Sequence, residues 1–177
     1  LLDLFYGDEG NDEIDVSGSF AAVGLGGLGD DIIVGAGFRS LIWGDDLLAD
    51  ANCGGDCGND KIELVEDSLT GVVIAGEGND TVTGGSRLDI LVGDGFNLKL
   101  GDTVKFAQNL EEGKIGVPIQ LSMVGNGTDT IDGNTGAGVG LDVIVGGHGS
   151  DTLTGTGLII GSGFNLEPIE IEFSLLS

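Results

Sequence analysis

The chain has 177 residues, with 36 glycines, 2 prolines and 40% hydrophobic residues, a composition too apolar for a disordered linker. Its 30 acidic and 6 basic side chains give a formal net charge of -24. This charge disfavours nucleic acid and anionic membrane surfaces as partners, because both attract clusters of Lys and Arg, and it leaves cations as the natural partners. No apolar run of the sequence is long enough to predict a membrane span.

One nine-residue pattern recurs along the chain. In chain order its six copies read GDEGNDEID from Gly7, GGLGDDIIV from Gly26, GDCGNDKIE from Gly55, AGEGNDTVT from Ala75, VGNGTDTID from Val124 and GGHGSDTLT from Gly146. They share the skeleton G-G-x-G-x-D-x-U-x, in which U is apolar. Two further copies adjoin others in tandem, GGSRLDILV from Gly84 and AGVGLDVIV from Ala137. A single glycine motif arises by chance, but this many copies indicate a repeat architecture.

Each copy predicts a turn followed by a short strand. Glycine permits positive φ angles in the first six positions, and the last three alternate around one apolar side chain. Two copies would form one coil of a flattened helix, and neighbouring coils would pair as parallel strands. We therefore predict an all-β fold, a parallel β-roll or β-solenoid with irregular insertions, as a single domain over residues 1–177. Its predicted core residues are Ile14, Ile33, Ile62, Val82, Ile131 and Leu153.

The acidic position of the motif places six aspartates at intervals related to one coil. They are Asp12, Asp31, Asp60, Asp80, Asp129 and Asp151. The intervals are 19, 29, 20, 49 and 22 residues, against about 18 for a coil of two ideal copies. Insertions near residues 44–54 and 98–123 explain the two long intervals, so we expect all six aspartates on one edge. The opposite edge carries mainly Asp89 and Asp142, and we expect it to be mostly free of metal.

The six aspartates, together with Asp89 and Asp142 on the sparser edge, are predicted to bind calcium. Ca²⁺ takes roughly six to eight oxygen ligands, and stacked turns offer carboxylates together with glycine carbonyls. A shared cation would cancel the repulsion between coils, so folding is expected to depend on calcium. For any one aspartate, a simple preference for turns is an equally good interpretation. Six aspartates in register favour the metal.

The remaining reactive side chains are few. Cys53 and Cys57 could form a disulfide or remain as two free thiols. Zinc is not expected, because His148 is the only histidine and two cysteines do not complete a tetrahedral site. His148 occupies a variable turn position, where we interpret it as an exposed bystander. Since no catalytic constellation stands out, we do not expect an enzyme.

The segments GGLGDDIIV and GGHGSDTLT resemble the calcium-binding nonapeptide repeat of the RTX, or haemolysin-type, proteins. The resemblance implies a right-handed parallel β-roll with calcium between its turns, and export to the exterior or the cell surface of a bacterium. The chain departs from that pattern in its interrupted coils, in Arg87 at a glycine position and in its two cysteines.

The expected function is that of a calcium-stabilised structural module in a secreted or cell-surface protein, with other protein chains or an extracellular assembly as further partners. One alternative is a ligand-binding or ice-binding region of an adhesin. Another is the C-terminal secretion and folding module of a secreted enzyme. The outward threonines that ice binding would use are few, and we expect them not to form a continuous file; they are Thr81, Thr83, Thr130, Thr152 and Thr154.

Overall fold

The structure, a computed structural model, describes residues 1–46, 57–100, 119–133, 140–162 and 169–171. Every regular element within these residues is a β-strand. The described part of the chain therefore contains no helix that could cross a bilayer. The strands are β1 (Leu2–Glu9), β2 (Glu13–Asp15), β3 (Ala21–Leu28), β4 (Ile32–Val34), β5 (Arg39–Trp43), β6 (Lys61–Glu63), β7 (Thr70–Ile74), β8 (Thr81–Thr83), β9 (Leu88–Val92), β10 (Gly95–Leu100), β11 (Ile119–Val124), β12 (Thr130–Asp132), β13 (Asp142–Gly147), β14 (Thr152–Thr154), β15 (Gly157–Ser162) and β16 (Ile169–Ile171).

Two parallel sheets make up most of the fold. Sheet A has seven strands in the order β1-β3-β5-β7-β9-β13-β15, and sheet B has six in the order β2-β4-β6-β8-β12-β14. Apart from β10, β11 and β16, consecutive strands alternate between the two sheets. The predicted all-β fold with parallel pairing is thus confirmed. We call the connections from sheet A to sheet B the A-to-B turns, and the return connections the B-to-A turns.

The core joins apolar side chains of both sheets. Of the predicted core residues, the four that lie on β4, β6, β8 and β12 are at most 1% exposed, and Ile14 and Leu153 pack against them with partial burial. Sheet A contributes a row that was not among the predicted core residues, Ile42, Val73, Leu91 and Ile144, each 0% exposed. Leu91 and Ile144 occupy the apolar position of the two tandem motif copies. All four residues of the row share one register position on neighbouring strands, so the parallel pairing of sheet A creates a continuous apolar row.

A third sheet departs from the parallel pattern. Strand β10 pairs antiparallel with β11, which also pairs antiparallel with β16. The predicted insertion at 98–123 therefore begins and ends as paired antiparallel strands, while residues 101–118 lie outside the described part. Of the predicted insertion at 44–54, residues 44–46 are described.

The expectation for the outward threonines is wrong in part. Thr81, Thr130 and Thr152 stand at one register position on the adjacent strands β8, β12 and β14, and all three are exposed. The file stops at Lys61, which occupies the same position on β6. The second file is broken, because Asp132 separates Thr83 from Thr154. Sequence spacing hid the first file, since residues 82–129 separate two threonines that are neighbours in the sheet.

The turn glycines are required where adjacent turns approach each other closely. Gly78 has a φ of 133°, and a Cβ added to it would collide with the carbonyl oxygen of Gly58 in the neighbouring turn. We expect Gly78→Ala to lower the free energy of unfolding by at least about 3 kcal/mol, as measured by urea denaturation. Gly18→Ala is the control, because a Cβ there meets nothing within 4 Å, and it should change stability by no more than about 0.5 kcal/mol. Equal losses in the two variants would contradict this account.

Candidate metal centre

The six motif aspartates form one continuous ladder along the A-to-B turns. Each backbone N–H donates to the Oδ1 atom of the aspartate in the next turn, although the two residues are 19 to 49 positions apart in sequence. From Asp12 to Asp31, Asp60, Asp80, Asp129 and Asp151 in turn, the N···Oδ1 distances are 2.8, 2.9, 2.8, 2.9 and 3.1 Å. We call this set the aspartate ladder. The structure brings together all six residues that the sequence assigned to one edge.

In five of the six ladder aspartates the second carboxylate oxygen is buried, and no hydrogen-bond donor among the described residues reaches it. Within the described residues, no donor reaches the Oδ2 atoms of Asp12, Asp31, Asp60, Asp80 and Asp129. The four central side chains, from Asp31 to Asp129, are at most 2% exposed, so bulk solvent does not reach these oxygens. Leaving a buried charged oxygen unpaired is strongly unfavourable. Each of these buried carboxylates therefore needs either a proton or a bound cation to be stable.

Glycines make room for these oxygens. A Cβ added to Gly7 would lie 2.7 Å from Asp12 Oδ2, and a Cβ on Gly26, Gly44 or Gly93 would collide with the Oδ2 atom of the ladder aspartate in its own turn. The backbone carbonyl oxygen of the next turn borders the same spaces. Carboxylate and carbonyl oxygens thus meet at each of these glycines, which is the donor set that a hard cation prefers.

Burial and like charges together raise the pKa values of the ladder. Burial raises the pKa of Asp60 to about 8, that of Asp80 to about 9 and that of Asp129 to about 7, and the charges of neighbouring aspartates add to the effect. Burial also raises the pKa of Asp31. The hydrogen bond that each carboxylate accepts from a backbone N–H opposes the shift only in part. Several ladder aspartates are therefore protonated near neutral pH unless a cation replaces the proton.

A second, more exposed ladder lies one residue earlier in the motif, and the sequence analysis missed it. Here the hydrogen bonds run in the opposite direction, because each backbone N–H donates to the side-chain oxygen of the preceding turn. The donor-acceptor pairs are Asp30 to Asn11, Asn59 to Asp30, Asn79 to Asn59 and Thr128 to Asn79, at 3.1, 2.7, 2.9 and 2.9 Å. The recurrent Asn or Asp before the motif acid is the signal that could have predicted it.

Asp89 of β9 and Asp142 of β13 lie at the sheet A end of the B-to-A turns, and they also stack. The backbone N–H of Asp89 donates to Asp142 Oδ1 at 3.0 Å. The two oxygens of Asp89 accept from the N–H groups of Gly71 and Gly85 at 2.7 and 2.9 Å, so this carboxylate already has donors on both sides. Burial raises the pKa of Asp89 to about 6 and also raises that of Asp142. Asp89 thus has a clear role in holding its turn.

Two more buried carboxylates, which the sequence analysis did not select, border the ladder. Asp45 is 7% exposed and Asp94 is 0% exposed. Asp45 Oδ2 accepts from the N–H of Glu77 at 2.6 Å, and burial raises the pKa of Asp45 to about 7. Asp94 Oδ2 accepts from the N–H of His148 and lies 3.1 Å from its Nδ1, so the interpretation of His148 as an exposed bystander is wrong. Burial raises the pKa of Asp94 as well.

Backbone oxygens would have to complete any metal site in the described part of the chain. Within those residues, no three His, Cys, Asp or Glu side chains converge closely enough to hold an ion by themselves. Cys57 is disulfide-bonded, which excludes its thiolate as a ligand, and Cys53 lies outside the described residues. The chain matches no family model, and no curated protein or solved structure is significantly similar to it. The family resemblance therefore rests on the nine-residue motif.

Proposed function

We propose that this chain is a calcium-binding structural module of a secreted or cell-surface protein. Ca²⁺ bound along the aspartate ladder would hold the stacked turns together and complete the fold. The observation that carries the proposal is the series of buried Oδ2 atoms that have no hydrogen-bond donor among the described residues. Each of these atoms is charged when its aspartate is ionised, and those of Asp12, Asp31, Asp60 and Asp129 border the same space as a backbone carbonyl oxygen of the next turn.

Calcium fits this site better than other common ions. The available donors are oxygens, whereas zinc and copper favour the nitrogen and sulfur atoms of His and Cys. Mg²⁺ requires a near-ideal octahedron and releases its water reluctantly, which suits a buried row of carbonyls and carboxylates poorly. Calcium accepts irregular geometry, so it tolerates turns of different sequence.

The proposal includes a right-handed parallel β-roll as the complete architecture. The alternation of consecutive strands between sheets A and B supports a coil with one strand in each sheet. Parallel pairing within each sheet has the same implication, because successive coils run in the same direction. The disulfide at Cys57 supports an oxidising compartment and hence an extracellular location. We assign no enzymatic activity.

A calcium titration tests the function. We expect chelator-treated protein to show little β signal by circular dichroism at neutral pH, and calcium to restore it cooperatively with a large rise in melting temperature. Isothermal titration calorimetry should show several ions bound per chain, and Mg²⁺ at the same concentration should give a much smaller response. A chain that folds identically in chelator and in calcium, with no heat of binding, would exclude the proposal.

A further inference from the structure

Two A-to-B turns differ from the others in one shared way. Strand register defines an equivalent position in these turns, two residues after the paired residues Leu25, Trp43, Ile74, Val92 and Val145. In three regular turns this position is a glycine with positive φ, Gly27, Gly76 or Gly147, and the ladder aspartate follows four residues later. In the two remaining interior turns it is Asp45 or Asp94, and the ladder aspartate follows 15 or 35 residues later. The motif copy that resumes after the second interruption has its own positive-φ glycine, Gly125, which lies against Asp94. The added carboxylate thus occurs in both interior turns that the chain interrupts with extra residues.

The two carboxylates make equivalent contacts. Each uses Oδ2 to accept from a backbone N–H at the third position of the next turn, Glu77 for Asp45 and His148 for Asp94. Each leaves Oδ1 buried with no hydrogen-bond donor in the described part of the chain. Asp45 and Asp94 are more than nine-tenths buried, so solvent does not satisfy these atoms. Two independent turns therefore present the same unsatisfied oxygen.

Each added carboxylate lies near several members of the aspartate ladder, since Asp45 also repels Asp31 and Asp80, and Asp94 also repels Asp151, but one ladder member belongs to its own interrupted turn. The unpartnered Oδ2 atom of Asp60 packs against Gly44, the residue before Asp45, and that of Asp129 packs against Gly93, the residue before Asp94. The charges are close enough for Asp45 to repel Asp60 and for Asp94 to repel Asp129. Two buried carboxylates that repel each other and have unpartnered oxygens are stabilised by a bound cation or by protonation.

We propose that Asp45 with Asp60, and Asp94 with Asp129, form two distinct divalent-cation sites, each with two carboxylates from a single interrupted turn. The chemistry of the donors selects calcium. Affinity for calcium rises with the number of charged ligands, so we expect these sites to bind more tightly than the regular turns, which supply one carboxylate each. The bound ion would join the two ends of the interrupted turn. The inference rests on the proposed function, because the second ligand of each pair belongs to the aspartate ladder.

The test is a calcium titration of Asp45→Asn, Asp94→Asn and the double variant, followed by calorimetry and by terbium luminescence. Asparagine keeps the oxygen that accepts from Glu77 or His148 while it removes the charge. Each single variant should lose one of the tightest ions or bind it at least about tenfold more weakly, and the double variant should lose two. Asp8→Asn is the matched control, because Asp8 occupies the same turn position but is exposed; this variant should bind as the unmodified chain does.

The outcomes separate this inference from the proposed function. If the unmodified chain binds no calcium, both the two-site inference and the proposed function are excluded. If it binds calcium and the Asp45 and Asp94 variants retain its stoichiometry and affinities, the two sites are excluded while the ladder stands. Circular dichroism in saturating calcium verifies folding, and Asp45→Ser and Asp94→Ser, which keep a hydroxyl acceptor, replace any asparagine variant that does not fold.

Discussion

Replacing Asp80 with asparagine should remove much of the calcium response and stabilise the metal-free chain. Asp80 is central in the aspartate ladder, where it accepts from the N–H of Asp60 and donates its own N–H to Asp129. Asparagine keeps the acceptor oxygen, so the hydrogen-bonded turns remain connected. Folding without metal requires the Asp80 carboxyl to be buried as a charge that both neighbours repel or to take up a proton, and asparagine avoids both costs, so the metal-free form should gain about 1–3 kcal/mol of unfolding free energy.

Calcium binding should weaken on both sides of the substitution, because Asp80 faces one aspartate in the turn before it and one in the turn after. We expect at least about a tenfold rise in the calcium concentration at the folding midpoint. We also expect the difference in melting temperature between calcium-loaded and chelator-treated protein to be clearly smaller in this variant than in the unmodified chain. Asp30→Asn is the control, since Asp30 is exposed and asparagine occupies the equivalent place in three other turns, at Asn11, Asn59 and Asn79. An unchanged midpoint in Asp80→Asn would contradict the assignment of this residue to a cation.

Acidification should stabilise the chain when no metal is present, which is the reverse of ordinary acid denaturation. The folded-state pKa values of Asp60, Asp80 and Asp129 are about 8, 9 and 7, above the value of about 3.9 expected in the unfolded chain. Between about pH 4 and pH 9 the folded state therefore binds more protons than the unfolded state does. The stabilising contribution is fully present below about pH 4 and is lost as the pH rises towards about 9.

Melting curves from pH 9 to pH 5 would measure this effect. In chelated protein the β signal and the melting temperature should rise as the pH falls. In saturating calcium the trend should weaken or reverse, because protons then displace the ion. The net charge of -24 also favours compaction at low pH, but high salt screens that surface effect and leaves the buried one. A metal-free chain in high salt whose melting temperature falls steadily from pH 9 to pH 5 would refute the prediction.

Much of the fold could be predicted from the repeat. A glycine-rich turn followed by a three-residue strand has few ways to bury its apolar side chain, so the motif predicted Ile33, Ile62, Val82 and Ile131 as core residues. In the row on sheet A, Leu91 and Ile144 occupy the apolar position of the two tandem copies but were not selected, while Ile42 and Val73 lie outside the motif copies. The burial of Ile42 and Val73 depends on the pairing of neighbouring strands within sheet A.

The candidate site was predicted less completely. The spacing of the motif acids indicated a common edge, and the structure places all six there. Asp45 and Asp94 were missed because they stand at a glycine position, where an acidic residue has the appearance of an exposed turn residue. His148 was misinterpreted for a similar reason, since its partner Asp94 is 54 positions away in sequence.

The sequence by itself determined the periodic unit, the parallel β architecture and the alignment of six aspartates, because all three follow from a local pattern repeated at nearly constant spacing. Only the tertiary structure decided which oxygen of each aspartate has a donor, which carboxylates are buried and which residues meet across the interrupted turns. Those properties depend on the contact between one turn and the next. The contacting residues are tens of positions apart in sequence. Because the chain segments between them differ in length, a constant sequence spacing does not predict which residues meet.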